Sequence, residues 1–171
     1  MTDKEPLPTA RGWHVADWPA LAWLETGIKL LAIVAGIAAL VQALVSGGFR
    51  LPMDLRLVQL VAMVVLSLGL VAAILDRYLE REVVSMVFVL LNNLGHWGMV
   101  VALVSRAGPG WLLPAFALLM LAGDAVKLVF LRLHDFHVRN TPRALLFGLT
   151  SFYIVGFLVV LLVELMLVFR S

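Results

Sequence analysis

Apolar residues in this chain fall in five long runs separated by short polar breaks, rather than alternating with polar ones. A helix needs about 20 mostly apolar residues to cross a hydrocarbon core about 30 Å thick at about 1.5 Å rise per residue. The runs at 27–45, 55–75, 83–104, 111–131 and 144–169 all meet that requirement. The breaks carry turn and cap chemistry. Ser46-Gly47-Gly48 closes the first run, and Pro52 with Asp54 opens the second. Gly108-Pro109-Gly110 ends the third, and Thr141 and Pro142 stand where a cap and a first helical turn belong before the fifth. The connections are short, so consecutive helices are expected as antiparallel neighbours. The pattern predicts an all-α integral membrane protein, with five transmembrane helices in one compact bundle forming a single domain at 27–169.

Residues 1–26 read as an N-terminal cytoplasmic or interfacial segment. Asp17 and Pro19 suit the start of a short helix there, with a hinge at Gly27 leading into the first span. Trp13, Trp18 and Trp23 are amphipathic residues of the kind that sit at headgroup level, as contacts to lipid or to a partner. Residues 1–20 contain charges and prolines without an apolar core, so they do not read as a signal peptide, and Thr2 stands where myristoylation needs glycine.

Composition agrees with a bilayer as part of the solvent. Of the 171 residues, 63% are hydrophobic and 14% charged, with a mean hydropathy of +1.03, against about 45–50% apolar and about 25% charged in soluble domains. The absence of cysteine excludes disulfides, thiolate metal sites, cysteine-ligated iron–sulfur clusters and a cysteine nucleophile. The net charge of +2 comes without a basic run, so nucleic acid is not an expected partner. Placement of the basic residues matters more. Lys4, Arg11, Lys29, Arg77, Arg81, Lys127, Arg132, Arg139 and Arg143 fall toward the side of the N-terminus; Arg50, Arg56, Arg106 and Arg170 fall toward the other. The positive-inside rule then puts the N-terminus in the cytoplasm and the C-terminus outside a plasma or inner membrane.

Polar groups inside the runs are the candidate chemistry, because intramembrane ionisable groups are costly and usually face protein or water. The third span carries Asn92, Asn93 and His96, with Asn92 and His96 at i,i+4 on one face beside the small residues Gly95 and Gly98. Either the amides join helices, or Asn92 and His96 line a polar path. The fourth span carries Asp124 and Lys127 at i,i+3; Asp124 lies about 10–12 Å inside and is too short to snorkel. Its expected partners are Lys127 first and Lys29 second, while Glu25 and Lys29 form their own i,i+4 pair. With Asn92 about 14 Å deep, these residues predict one polar layer. Glu164 lies late in the fifth span, in reach of Arg56 or Arg106 or the headgroups.

Two loop clusters lie outside the runs. Residues 76–82 mix both signs and read as a solvated rim. His134, Asp135 and His137 offer three donors without a fourth, an incomplete metal set, flanked by Arg132, Arg139 and Arg143 as contacts for lipid headgroups or a partner. No His-Glu-x-x-His, Gly-x-Ser-x-Gly, Walker loop or Gly-x-Gly-x-x-Gly occurs, and no cofactor is expected; a second axial ligand to pair with His96 on a haem is not apparent. The leading expectation is therefore not an enzyme but a channel or carrier for an ion or small solute, working as a homo-oligomer. The alternative is a non-catalytic accessory or scaffold subunit of a larger membrane complex, with the Asn92/His96 face as its assembly surface.

Overall fold

In the computed structural model, residues 18–45, 48–79, 83–105, 111–134, 136 and 141–170 are described. They form five α-helices: α1 (Ala20–Val45), α2 (Leu55–Leu79), α3 (Val83–Ser105), α4 (Leu112–Leu133) and α5 (Arg143–Arg170). Each is long and apolar enough to span a membrane. Among the described residues every element is a helix, and Trp13, Arg139, Asp135, His137 and Arg106 lie outside them.

The helices pack in the order α2, α3, α1, α4, α5, so α1 sits between two hairpins, and α3 also touches α4 across it. They run up and down. The end where α1 begins, α2 ends and α5 begins is called the near end; the opposite one is the far end. At the far end Gly48 takes a positive φ of 109°, open to glycine without strain, and its N–H returns to the Ala43 carbonyl at 2.8 Å. Arg50 N–H then bonds the Val104 carbonyl at 2.8 Å, fastening the turn to the end of α3.

Helix starts follow the expected chemistry in part. Asp54 Oδ1 accepts the Arg56 N–H at 2.9 Å and caps α2. At α5 the Pro142 carbonyl accepts from Leu145 and Leu146, while the Thr141 hydroxyl accepts from Arg77 Nη2 at 2.6 Å. The first helix differs from expectation. It begins at Ala20 rather than 27 and runs as continuous α-helix through Gly27, where a hinge was expected. Glu25 and Lys29 look like an interfacial entry in the sequence, but they neutralise one another and pack inward, so the helix keeps both buried. Trp18 is also displaced from the expected belt. It is buried, stacked on Phe88 at 5.3 Å, beside Phe130 and Leu131 in a near-end aromatic cluster. Trp23 is exposed, as a belt residue would be.

The inward face of α1 is marked by the polar Glu25, Thr26 and Lys29 in its near half and by small side chains beyond them. Ala32, Gly36, Ala39 and Ala43 form its buried stripe, while Leu30, Leu31, Val34, Ile37, Val41 and Leu44 point out. A Cβ on Gly36 would lie 2.7 Å from the Gly98 Cα, so α1 and α3 cross there backbone to backbone. Without a hydrophobic drive between helices in lipid, such close approach is what holds them. Phe116, Met120, Met99, Met63 and Phe157 fill the middle and far half of the bundle.

Candidate functional site

The buried polar groups converge where α1 and α4 meet. Lys29 Nζ donates to Glu25 one turn earlier and lies 3.4 Å from Asp124 Oδ1 on α4; all three side chains are essentially inaccessible. Gly123 makes this possible. A Cβ there would come within 3.2 Å of the Lys29 Cε, so the lysine stem lies in the slot glycine leaves. Lys29, the second expected partner of Asp124, is therefore its actual partner, and Lys127 is not. Lys127 makes no ion pair within 4.0 Å among the described residues. One helical turn separates the two side chains: Asp124 meets α1, and Lys127 enters a cavity bounded by α3 and α5.

That cavity has a volume of about 250 Å³. It lies between the α2–α3 and α4–α5 hairpins, from Ser85, Arg77 and Thr141 at the near end to Asn92 and Tyr153 at mid-depth. Its walls are largely apolar, and its polar floor is Glu25, Asn92 and Lys127. Glu25 Oε2 and Asn92 Oδ1 are both buried and have no hydrogen-bond partner among the described residues. Gly69 and Leu149 line the cavity and are nonetheless exposed, so its mouth opens sideways between α2 and α5. Polar ties frame that mouth. Arg77–Thr141 bridges α2 to the start of α5 at the near end. Arg56 grips Glu164 at the far end with Nε at 3.0 and 3.2 Å and Nη2 at 2.8 Å. This two-pronged grip is the geometry a guanidinium and a carboxylate favour.

The three polar residues of α3 separate into distinct roles. Asn93 Nδ2 donates to the Ser67 carbonyl of α2 at 2.7 Å, joining the helices. Asn92 turns to the cavity. His96 is buried between Tyr153 and Phe157, with centroids 5.0 and 4.9 Å away. Its Nδ1 lies 2.7 Å from the Asn92 carbonyl, which only accepts, so Nδ1 carries the proton and Nε2 is left without a partner. The polar layer thus has two parts: Glu25–Lys29–Asp124 between α1 and α4, and Glu25–Asn92–Lys127 facing the cavity. Glu25 belongs to both.

The remaining candidates are placed as follows. Glu164 is fully buried and paired with Arg56, one of its expected partners. Arg143 donates to the Leu131 and His134 carbonyls at the end of α4 and lies 5.7 Å over the Phe147 ring, so it closes a helix within the chain. Arg132 is exposed and available to headgroups. His134 packs on Phe130, and among the described residues no three His, Cys, Asp or Glu side chains are grouped to hold a metal ion. The Gly95 and Gly98 surface, expected to receive a partner, is occupied internally: an added Cβ would strike Met120 at one and Phe116 at the other. Gly36, Gly123, Tyr153 and Arg77 were not anticipated. Gly123 beside Asp124, and Gly36 one small residue in a heptad-spaced stripe, were the available signals. Comparison with protein-family models, with curated proteins and with solved structures finds nothing that matches this chain.

Proposed function

We propose that this chain is a membrane carrier for a small solute, with the cavity as its binding chamber in a state closed at the far end. The observation that supports this most is where the cavity stops. It ends at Asn92 and Tyr153 at mid-depth, with Glu25 and Lys127 about a helical turn nearer the near end, and beyond it the bundle is filled by Phe116, Met120, Met99 and Phe157 and tied by Arg56–Glu164. An open channel needs a continuous path; a one-sided chamber below a closed layer suits alternating access. The charge asymmetry makes the near end cytoplasmic in this reading. The chamber lies within one chain, so each copy in a homo-oligomer has its own path.

Because the chain has no cysteine, a single introduced thiol is an unambiguous reporter. Ser85→Cys lies in the chamber near its near end, and Gln59→Cys is buried in the far half of α2. In sealed vesicles, a membrane-impermeant thiol reagent is expected to label S85C from the near face and leave Q59C untouched. Adding Glu164→Gln releases the far tie, so Q59C should become reactive from the far face as S85C loses reactivity. Simultaneous reactivity of both sites from one face would indicate a channel. Inertness of both, with and without E164Q, would overturn the transport reading and favour an accessory subunit.

A further inference from the structure

The way into the chamber identifies its ligand more closely than the charges alone. This inference rests on the carrier reading and names the substrate class. We infer that the chamber takes a neutral, single-chain amphiphile that enters sideways from the membrane, its head on the Glu25–Asn92–Lys127 floor and its tail in the opening between α2 and α5.

Three observations carry it. The opening is bordered by Gly69 and Leu149, which line the cavity and are exposed within two helices long and apolar enough to span a membrane, so a ligand passing between them comes from hydrocarbon. The lining is complementary in hydrogen bonding: Lys127 brings a donor, and Glu25 Oε2 and Asn92 Oδ1 are buried acceptors of two lining residues with no partner among the described residues. A head with one acceptor and one donor, such as a hydroxyl or a hydroxyl beside a carbonyl, satisfies both sides. Charge selects against ionic heads. Glu25 and Asp124 balance Lys29 and Lys127, and Asp76 balances Arg77 at 3.2 Å, so a charged head would add an uncompensated charge to a buried site, which is costly. The volume, about 250 Å³, is just below the ~300–1,000 Å³ of typical small-molecule pockets. It fits a compact head and the first part of one chain, and excludes a two-chain phospholipid.

The test uses the full chain in liposomes and three photoreactive, alkyne-tagged probes of equal chain length: a fatty alcohol, an alkyl phosphate and an alkyl ammonium. Cross-linked peptides are mapped by mass spectrometry. The alcohol should cross-link mainly to the α2 and α5 segments bordering the opening, and unlabelled alcohol should compete. Gly69→Trp, at a site where nothing lies within 4 Å of an added Cβ, should abolish this labelling while the fold survives. Lys127→Met should reduce it about ten-fold, the loss expected for one hydrogen bond to a charged group. Preferential capture of either charged probe would overturn the neutral-head assignment. Equal labelling of all outer helix faces, insensitive to G69W, would overturn the site itself and needs no variant beyond that one. If S85C and Q59C alternate in thiol reactivity while no probe is captured, the carrier reading stands with a water-soluble substrate, and this inference alone falls.

Discussion

Replacing Lys29 by methionine separates a structural charge network from a functional one. The Lys29 ammonium is the only cation paired within 4.0 Å of Glu25 and Asp124 among the described residues, and all three side chains are shielded from solvent. Methionine keeps the stem that lies in the Gly123 slot, so packing is largely conserved and the loss is electrostatic. Removing one partner from a buried ion pair costs about 3–5 kcal/mol, because the remaining charge is left uncompensated. Here two carboxylates are left, which places Lys29→Met toward the upper end of that range. Asp124→Asn is much milder, about 1 kcal/mol, since Lys29 keeps its bond to Glu25 and the longer contact to Asp124, 3.4 Å, is an ion pair without a hydrogen bond. The triple variant Glu25→Gln, Lys29→Met, Asp124→Asn removes every charge of the network together and should return to within about 2 kcal/mol of the native chain. Reversible unfolding in mixed micelles, followed by helical circular dichroism, measures the three differences. If Lys29→Met is no more destabilising than Asp124→Asn, or the triple variant is worse than Lys29→Met alone, the three side chains do not share one electrostatic account and the argument fails.

Three further outcomes follow from the packing. Gly36→Ala places a methyl 2.7 Å from the Gly98 backbone and should lower stability by about 1–3 kcal/mol, the usual cost of overpacking; Gly27→Ala, with nothing within 4 Å, should gain up to about 1 kcal/mol from helix propensity. The pair of melting curves must diverge in sign. Asn93→Leu breaks the bond to the Ser67 carbonyl and should cost about 0.6–2 kcal/mol, whereas Asn92→Leu leaves its partnerless oxygen out of the chamber and should cost less; equal losses would contradict the division of roles. Glu164→Gln should weaken the two-pronged Arg56 contact by about 1–3 kcal/mol, and Arg56→Lys, which keeps charge but loses the fork, should fall between it and the native chain. A Lys variant indistinguishable from native in unfolding would remove the fork geometry from the account.

The helices were legible because span length and uniform hydropathy are properties of each segment alone. What the sequence left open was facing. In a soluble helix the apolar residues mark the inward side; here nearly every side chain is apolar, and the marks are the few buried polar residues and small size. The stripe Ala32, Gly36, Ala39 and Ala43 carries the information, yet a polarity-based reading passes over it. Asn92 and Asn93 illustrate the same limit. They are adjacent and chemically identical, and only the direction of each side chain makes one a helix tie and the other a cavity wall. The sequence places the start of the first span too late for a related reason: the Glu25–Lys29 pair is expected, but it is Asp124, on a helix about a hundred residues away in sequence, that lets the charged turn containing Glu25 stay buried in the helix.

The two lysines near Asp124 carry this argument into function. Sequence spacing ranks Lys127 as the better partner, because three residues on one helix are always neighbours, while Lys29 depends on tertiary packing. The slot beside Gly123 reverses that ranking. Once Lys29 is held between Glu25 and Asp124, it fixes α1 against α4 and is no longer available to a ligand, and Lys127 is left as the chamber cation without an ion pair among the described residues, Arg77 having Asp76. A group with its interactions satisfied inside the fold serves structure; one that reaches the cavity unpaired is where recognition can occur. The two roles separate experimentally. Lys29→Met should lower stability and disturb ligand capture only in proportion to unfolding, whereas Lys127→Met should leave unfolding nearly unchanged, since it breaks no ion pair, and abolish most capture by the folded protein. Were capture by folded Lys127→Met to equal that of the native chain, the cation of the chamber would have no part in recognition.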